Sequence, residues 1–177
     1  PGLYDGIKVL AVTRVLGSPF AAYQLALHGA EVIHIEEPKI GDITRKMGGR
    51  HAQKLIDLGM AHGFIAHGAN KKSLTLDLRA AEGQEILKRM AGKADVIIEN
   101  LRVGAMERYG LGYEAMRKLN PRIVYASFTG YGQTGPKRYS PAVDNAIQAG
   151  SGMMSVTGTP DSGPLKVGFS VVDYTAG

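Results

Sequence analysis

Two carboxylates, in a region with few other charges, are the residues of this sequence best placed for chemistry. Asp173 lies in KVGFSVVDYTAG, residues 166–177, between an apolar run and small residues, and Asp144 lies in PAVDNAIQ; both neighbour glycine-rich turns. Such an aspartate, taken alone, is more often a helix cap, its oxygens receiving free backbone N–H groups. It can also attack an electrophilic carbonyl and carry the acyl group as a covalent intermediate. A carboxylate held in a charge-poor region needs partners, so the context favours a working pair. The expectation is Asp173 as nucleophile and Asp144 as its electrostatic helper.

The elements that must position this pair alternate between strand and helix. Ile7 to Val12 is an apolar run that predicts a buried strand, and Ser18-Pro19 predicts a helix start, with proline in the first turn and Ser18 as cap. A helix over Phe20–His28, ended by Gly29, and a strand over Glu31–Ile35 complete a βαβ unit, which implies parallel pairing. Ser73–Leu78, Asp95–Glu99 and Ile123–Phe128 predict further strands. Ala81–Ala91, with Ile86, Leu87 and Met90 on one face, predicts a helix, and Gly104–Tyr109 and Tyr113–Leu119 predict shorter ones. Gly48 to Asn70 has only weak periodicity and reads as mostly irregular. Beyond Thr129 come the loop GYGQTGP, a helix over Ala142–Ala149, a turn-rich stretch Thr157–Pro164 and a helix beginning within Phe169–Ala176. The expected class is α/β, a Rossmann-like parallel sheet flanked by helices. Residues 1–177 then form one domain, with 129–177 as a loop-rich extension carrying the site.

Composition narrows the chemistry. At 177 residues and 44% hydrophobic content the chain can bury a sizeable core. The absence of cysteine excludes thiolate catalysis and disulfides. Lys plus Arg number 21 against 16 Asp plus Glu, a net charge of +5 that favours an anionic partner. The bases are scattered and not interleaved with aromatics, so a phosphorylated small molecule is expected in preference to nucleic acid. The first strand-to-helix turn lacks GxGxxG, which disfavours an NAD or FAD dehydrogenase, although the helix start after Gly17 and Ser18 can receive an anion. His51, His62 and His67 share one stretch, but their spacing matches no zinc pattern; they are expected to be solvated loop residues, with no metal, while His28 and His34 are structural. Nothing reads as a leader or membrane span, so a cytoplasmic protein without a membrane partner is expected. The chain stops where a helix begins, and so reads as a piece of a longer polypeptide.

Several long motifs in order carry a resemblance. DGIKVLAVTRVLGSPFAAYQLALHGAEVIHIEEP, the GD-x-TR of Gly41–Arg45, NKKSLTLDL, ADVIIENLRVGAMERYGLGYEAMRKLNPRIVYASFTGYGQTGP and VVDYTAG resemble the family III CoA-transferases, which include formyl-CoA and carnitine CoA-transferases and the related alpha-methylacyl-CoA racemases. Only Gly48–Ala69 lacks an evident counterpart. The resemblance implies the N-terminal part of an interlocked-dimer fold and coenzyme A or acyl-CoA as substrate, with no permanently bound cofactor. It implies that Asp173 attacks an acyl-CoA thioester, passing through an aspartyl anhydride and an aspartyl-CoA thioester. CoA contacts carried over by position fall on Val15, Leu16, Leu76, Arg79, Asn100, Leu101 and Arg108. Leu16 and Glu37 replace a glutamine and an arginine of formyl-CoA transferase, with Lys39 the nearest base to compensate. The racemase branch places histidine where this chain has Val143, and valine accepts no proton, so transfer is favoured over racemisation. A non-catalytic CoA-binding piece is the third reading, and a polypeptide ending at Gly177 is expected to be inactive.

Overall fold

The computed structural model describes residues 2–177, with residue 50 by its backbone alone. Five strands, β1 (Lys8–Val12), β2 (Glu31–Glu36), β3 (Lys71–Thr75), β4 (Val96–Glu99) and β5 (Val124–Ser127), form one sheet in the order β3-β2-β1-β4-β5. Every pair in it is parallel. The helices are α1 (Gly17–Leu27), α2 (Gln53–Asp57), α3 (His62–Gly68), α4 (Ala81–Ala91), α5 (Ala105–Arg108), α6 (Tyr113–Leu119), α7 (Asp144–Gly150) and α8 (Val171–Ala176). A hairpin pairs the two-residue strands β6 (Gly158–Thr159) and β7 (Gly163–Pro164) antiparallel.

Alternation along β1 explains the two layers of core. Leu10 and Val12 point to the face covered by Leu87 of α4, Met106 of α5 and Met116 of α6; Val9 and Ala11 point to the other, against Ala22 and Ala26 of α1. Alanines at that contact bring α1 close to the sheet. Burying a side chain such as Leu87 contributes about 2 kcal/mol. Gly29 ends α1 at φ +104°, with its N–H on the Ala26 carbonyl, a conformation that glycine adopts without strain.

The parallel α/β class is as expected, but three local expectations fail. Ser18 does not cap α1: the Phe20 N–H bonds the Leu16 carbonyl at 2.8 Å, so the helix starts earlier, and the buried Ser18 hydroxyl has no partner among the described residues. Strand β3 lies two to three residues before Ser73–Leu78, because Lys71 and Lys72 are tolerated on an edge strand and the chain turns away after the Leu76 N–H bonds the Glu36 carbonyl. The stretch read as irregular contains α2, α3 and a 3-10 turn at Arg50–Ala52. There the fold is fixed from outside: Arg45 stacks 3.7 Å from the Phe64 ring centroid, and its carbonyl receives the Ala61 N–H.

Candidate active site

Helix α8 carries Asp173 in its first turn, and Ser170, its N-cap, supplies no side-chain bond. The cap comes instead from Asp144, at the start of α7. Its Oδ1 accepts the Val172 N–H at 2.8 Å and the Asp173 N–H at 3.3 Å, while Oδ2 accepts Gln148 Nε2 at 2.5 Å. Gln148 is fully buried, and its Oε1 takes the Val167 N–H at 2.9 Å. One turn of α7 therefore brackets the segment leading into α8. The Asp173 carboxylate makes no hydrogen bond among the described residues and is only partly exposed. Burial, then the Asp144 charge, push its pKa above the ordinary carboxylate value.

Below Asp173, the next residue is packed into aromatic groups. The Tyr174 ring meets Phe20 edge-on at 5.0 Å, and its hydroxyl lies 3.1 Å from His67 Nε2. His67 is only 6% exposed, so the expectation of solvated loop histidines fails for it, whereas His51 and His62 are exposed. His34 is buried, with Nε2 2.9 Å from the Thr13 carbonyl, a structural setting as expected.

A cleft of about 370 Å³ opens at the carboxyl ends of β1 to β4. The order of the sheet reverses direction between β1 and β4, and ligands of open parallel sheets bind in that crevice. Four expected residues line it: Leu76, Arg79, Leu101 and Arg108. Asn100 lies behind, its amide bonding both the N–H of Arg14 at 2.8 Å and the carbonyl of Arg14 at 2.7 Å, which pins the β1–α1 loop to the end of β4. Val15 and Leu16 do not line the cleft: Val15 turns away at φ +70° into a small pocket beside Lys71, and Leu16 occupies the N-cap of α1.

The cleft also holds charges that the sequence reading missed. Arg14 bonds Glu37 Oε2 at 3.0 Å, and Arg79 reaches Glu37 Oε1 at 3.0 Å and Asp77 Oδ1 at 3.0 Å. Glu37 therefore sits between two arginines, while exposed Lys39 is not part of the lining. The signal was available in part, since Glu37 directly follows β2 and Arg14 comes two residues after β1. Arg108 has no side-chain partner among the described residues. The segment after β1 runs from the cleft to the helix that carries Asp173: Thr13 and Arg14 line the cleft, and a Cβ placed on Gly17 would lie 3.2 Å from the Asp173 carbonyl oxygen. No cluster of three or more metal-ligating side chains occurs among the described residues, and no helix is long and apolar enough to cross a membrane.

A parallel sheet with a crevice at its switch point defines an α/β ligand-binding fold, and comparison with known proteins specifies which. The profile of CoA-transferase family III matches residues 4–177, and the chain belongs to that family. It is 40% identical over 175 residues to a succinate–glutarate CoA-transferase of Agrobacterium fabrum, an alignment covering 98% of this chain and 44% of that protein. It is 42% identical over 167 residues to an acetyl-CoA:oxalate CoA-transferase of Acetobacter aceti, covering 94% and 41%. A crystal structure of a CAIB/BAIF family protein from Brucella suis superimposes with a TM-score of 0.86 at 37% identity, covering 96% of this chain and 44% of that one. The chain thus spans less than half the length of these relatives.

Proposed function

We propose that this chain supplies the nucleophile and the CoA-binding crevice of an enzyme that moves CoA between an acyl-CoA and a free carboxylic acid. The observation that carries the reading is the Asp173 carboxylate, which makes no hydrogen bond among the described residues while Asp144 takes over the capping of its helix. A carboxylate poorly stabilised as an anion is a better nucleophile once ionised. In the proposed sequence Asp173 Oδ attacks the thioester carbonyl, the C–S bond breaks, and CoA leaves as thiolate from an aspartyl anhydride. The thiolate then attacks the aspartyl carbonyl of the anhydride, releasing the donor acid as its carboxylate and leaving an aspartyl-CoA thioester. The acceptor carboxylate reverses both steps. Each step exchanges one acyl bond for another, so no water or cofactor is consumed.

The crevice suits the nucleotide end of CoA. Its size falls in the ordinary range of small-ligand sites, and Arg79, Arg102 and Arg108 offer guanidinium groups to phosphates. A cytoplasmic location and an interlocked homodimer belong to the same proposal. The second is supported by the exposed apolar residues Val143, Val156, Leu165 and Phe169 of the extension, which further protein would cover. Racemisation is less well supported, because the residue before Asp144 is Val143 and Asp144 itself is occupied by N–H donors.

The test is peptide mass mapping of the longest polypeptide containing this chain after incubation with a panel of acyl-CoA thioesters, with hydroxylamine or borohydride trapping. Modification confined to Asp173 and absent in Asp173→Ala is expected. Tight CoA binding with no label on any donor would refute the transferase mechanism and leave a racemase or a binding piece, separated by alpha-proton exchange.

A further inference from the structure

Helix α8 has six residues, too few to hold its own geometry, so its orientation is set by what grips it. Asp144 grips its first N–H groups. The second grip is on Tyr174, adjacent to Asp173. Successive residues on a helix are turned by about 100°, so a fixed side chain at 174 fixes the direction in which 173 projects. The hydroxyl of Tyr174 meets His67 Nε2 at 3.1 Å, and the imidazole packs edge-on to Phe20 at 5.9 Å and Tyr23 at 6.4 Å.

The other ring nitrogen decides the direction of this bond. His67 Nδ1 faces the Gly63 carbonyl at 3.1 Å, and a carbonyl can only accept. Nδ1 therefore carries the proton, Nε2 keeps its lone pair, and the Tyr174 O–H donates to it. Burial pushes the imidazole below its ordinary pKa, which agrees with this neutral tautomer.

We infer that His67 is a positioning residue for Asp173: by accepting the Tyr174 hydroxyl at Nε2 it locks the rotation of α8 and so aims the carboxylate. The helix that carries His67, α3, thereby gives the stretch between Gly48 and Asn70 a function at the site. The inference rests on Asp173 being the nucleophile, and its test separates the two.

Three variants of the longest polypeptide containing this chain distinguish the bond from general packing. Gln at 67 can place an oxygen acceptor where Nε2 lies; Asn at 67 reaches only the Nδ1 position; Phe at 174 removes the donor. Single-turnover acylation of Asp173 is expected to slow about tenfold or more in His67→Asn and in Tyr174→Phe, since small misplacements of a reacting group are costly. The double variant should be no slower than either single one. His67→Gln should stay within about threefold of wild type, and CoA affinity should change by less than about twofold in all of them. Amide hydrogen exchange at Asp173 and Tyr174 should accelerate in His67→Asn and Tyr174→Phe but not in His67→Gln. Wild-type acylation rates in His67→Asn and Tyr174→Phe, or equal losses in His67→Gln and His67→Asn, would overturn the inference. If wild type forms no adduct, the nucleophile reading fails, and the exchange data alone decide whether His67 holds the helix: unchanged exchange overturns that too.

Discussion

The Asp144 carboxylate caps the helix that carries Asp173, taking the Val172 N–H at 2.8 Å across 28 residues of sequence. The sequence offered two aspartates, each able to cap or to react. The structure distinguishes them by geometry: one carboxylate accepts three N–H donors, and the other makes no hydrogen bond among the described residues. The same contact places a negative charge near Asp173 and contributes to its raised pKa, after burial.

Asn and Ala at position 144 therefore have different consequences. Asp144→Asn keeps an oxygen for the Val172 N–H and removes the charge, while giving up the bond from Gln148 Nε2, so the Asp173 pKa should fall towards its ordinary value, read by carbon NMR titration. Asp144→Ala loses the cap and should destabilise the protein by about 1–2 kcal/mol in denaturant unfolding. The sign of the pH effect follows from the direction of the shift. A carboxylate raised in the folded state contributes stability below its ordinary pKa of 3.8, lost as pH rises through the folded value. That slope should flatten in Asp144→Asn.

Arg79 and Arg108 line the same cleft but differ in what holds them. Arg79 is already paired with Asp77 and Glu37, whereas Arg108 has no side-chain partner among the described residues. An arginine that must leave carboxylates to meet a phosphate gains less. Arg108→Ala is expected to weaken CoA binding by about tenfold to a hundredfold in calorimetry, and Arg79→Ala by less than about fivefold. Glu37→Gln should tighten it, because one competing anion is removed. Equal losses for both arginines would contradict this assignment.

What could be read beforehand follows the range of the forces involved. Helices α4 and α6 occur at their expected residues because local apolar spacing and the flanking Gly92 and Gly112 define them. Helix α3 was not legible, because HGFIAHG has two glycines and two histidines and depends on Arg45 stacking on Phe64. Leu76, Arg79, Leu101 and Arg108 were named by motif position and line one cleft, whereas Val15 and Leu16 do not line it. The bonds from Asp144 to Val172 and from His67 to Tyr174 join elements far apart in sequence, and no local pattern announces them. Gln148 is the exception, since its spacing of four from Asp144 places both on one helix face.

Glu36 and Arg45 form a forked ion pair, with both guanidinium contacts at 2.6 Å. Burial alone would raise the Glu36 pKa, but Arg45, the Ser73 hydroxyl and the Asp42 N–H outweigh it and hold the carboxyl at about 2. A depressed carboxylate contributes stability above its ordinary value of 4.5, lost as pH falls through about 2. Acid unfolding should therefore be shallower between those values in Glu36→Gln. The substitution should cost about 1–3 kcal/mol at neutral pH, at the lower end because Arg45 reaches solvent.

Gly17 offers the sharpest separation of catalysis from folding. Its backbone lies where the β1–α1 loop, the Phe128 ring and α8 converge. An added Cβ would stand 3.0 Å from a Phe128 ring carbon and 3.2 Å from the Asp173 carbonyl oxygen. The ring can yield by a few tenths of an ångström, but the carbonyl belongs to the helix whose placement aims the carboxylate. Gly17→Ala is therefore expected to cost about 1–2 kcal/mol of stability, in the range of mild overpacking. Its effect on acylation of Asp173 should be larger in proportion, about tenfold or more in single-turnover rate, since the displaced backbone is that of the proposed nucleophile. CoA affinity should hardly change, because Gly17 does not line the cleft. A variant that loses CoA binding and acylation together would show instead that the loop moves as one body, and would argue against separate seats for CoA and the nucleophile.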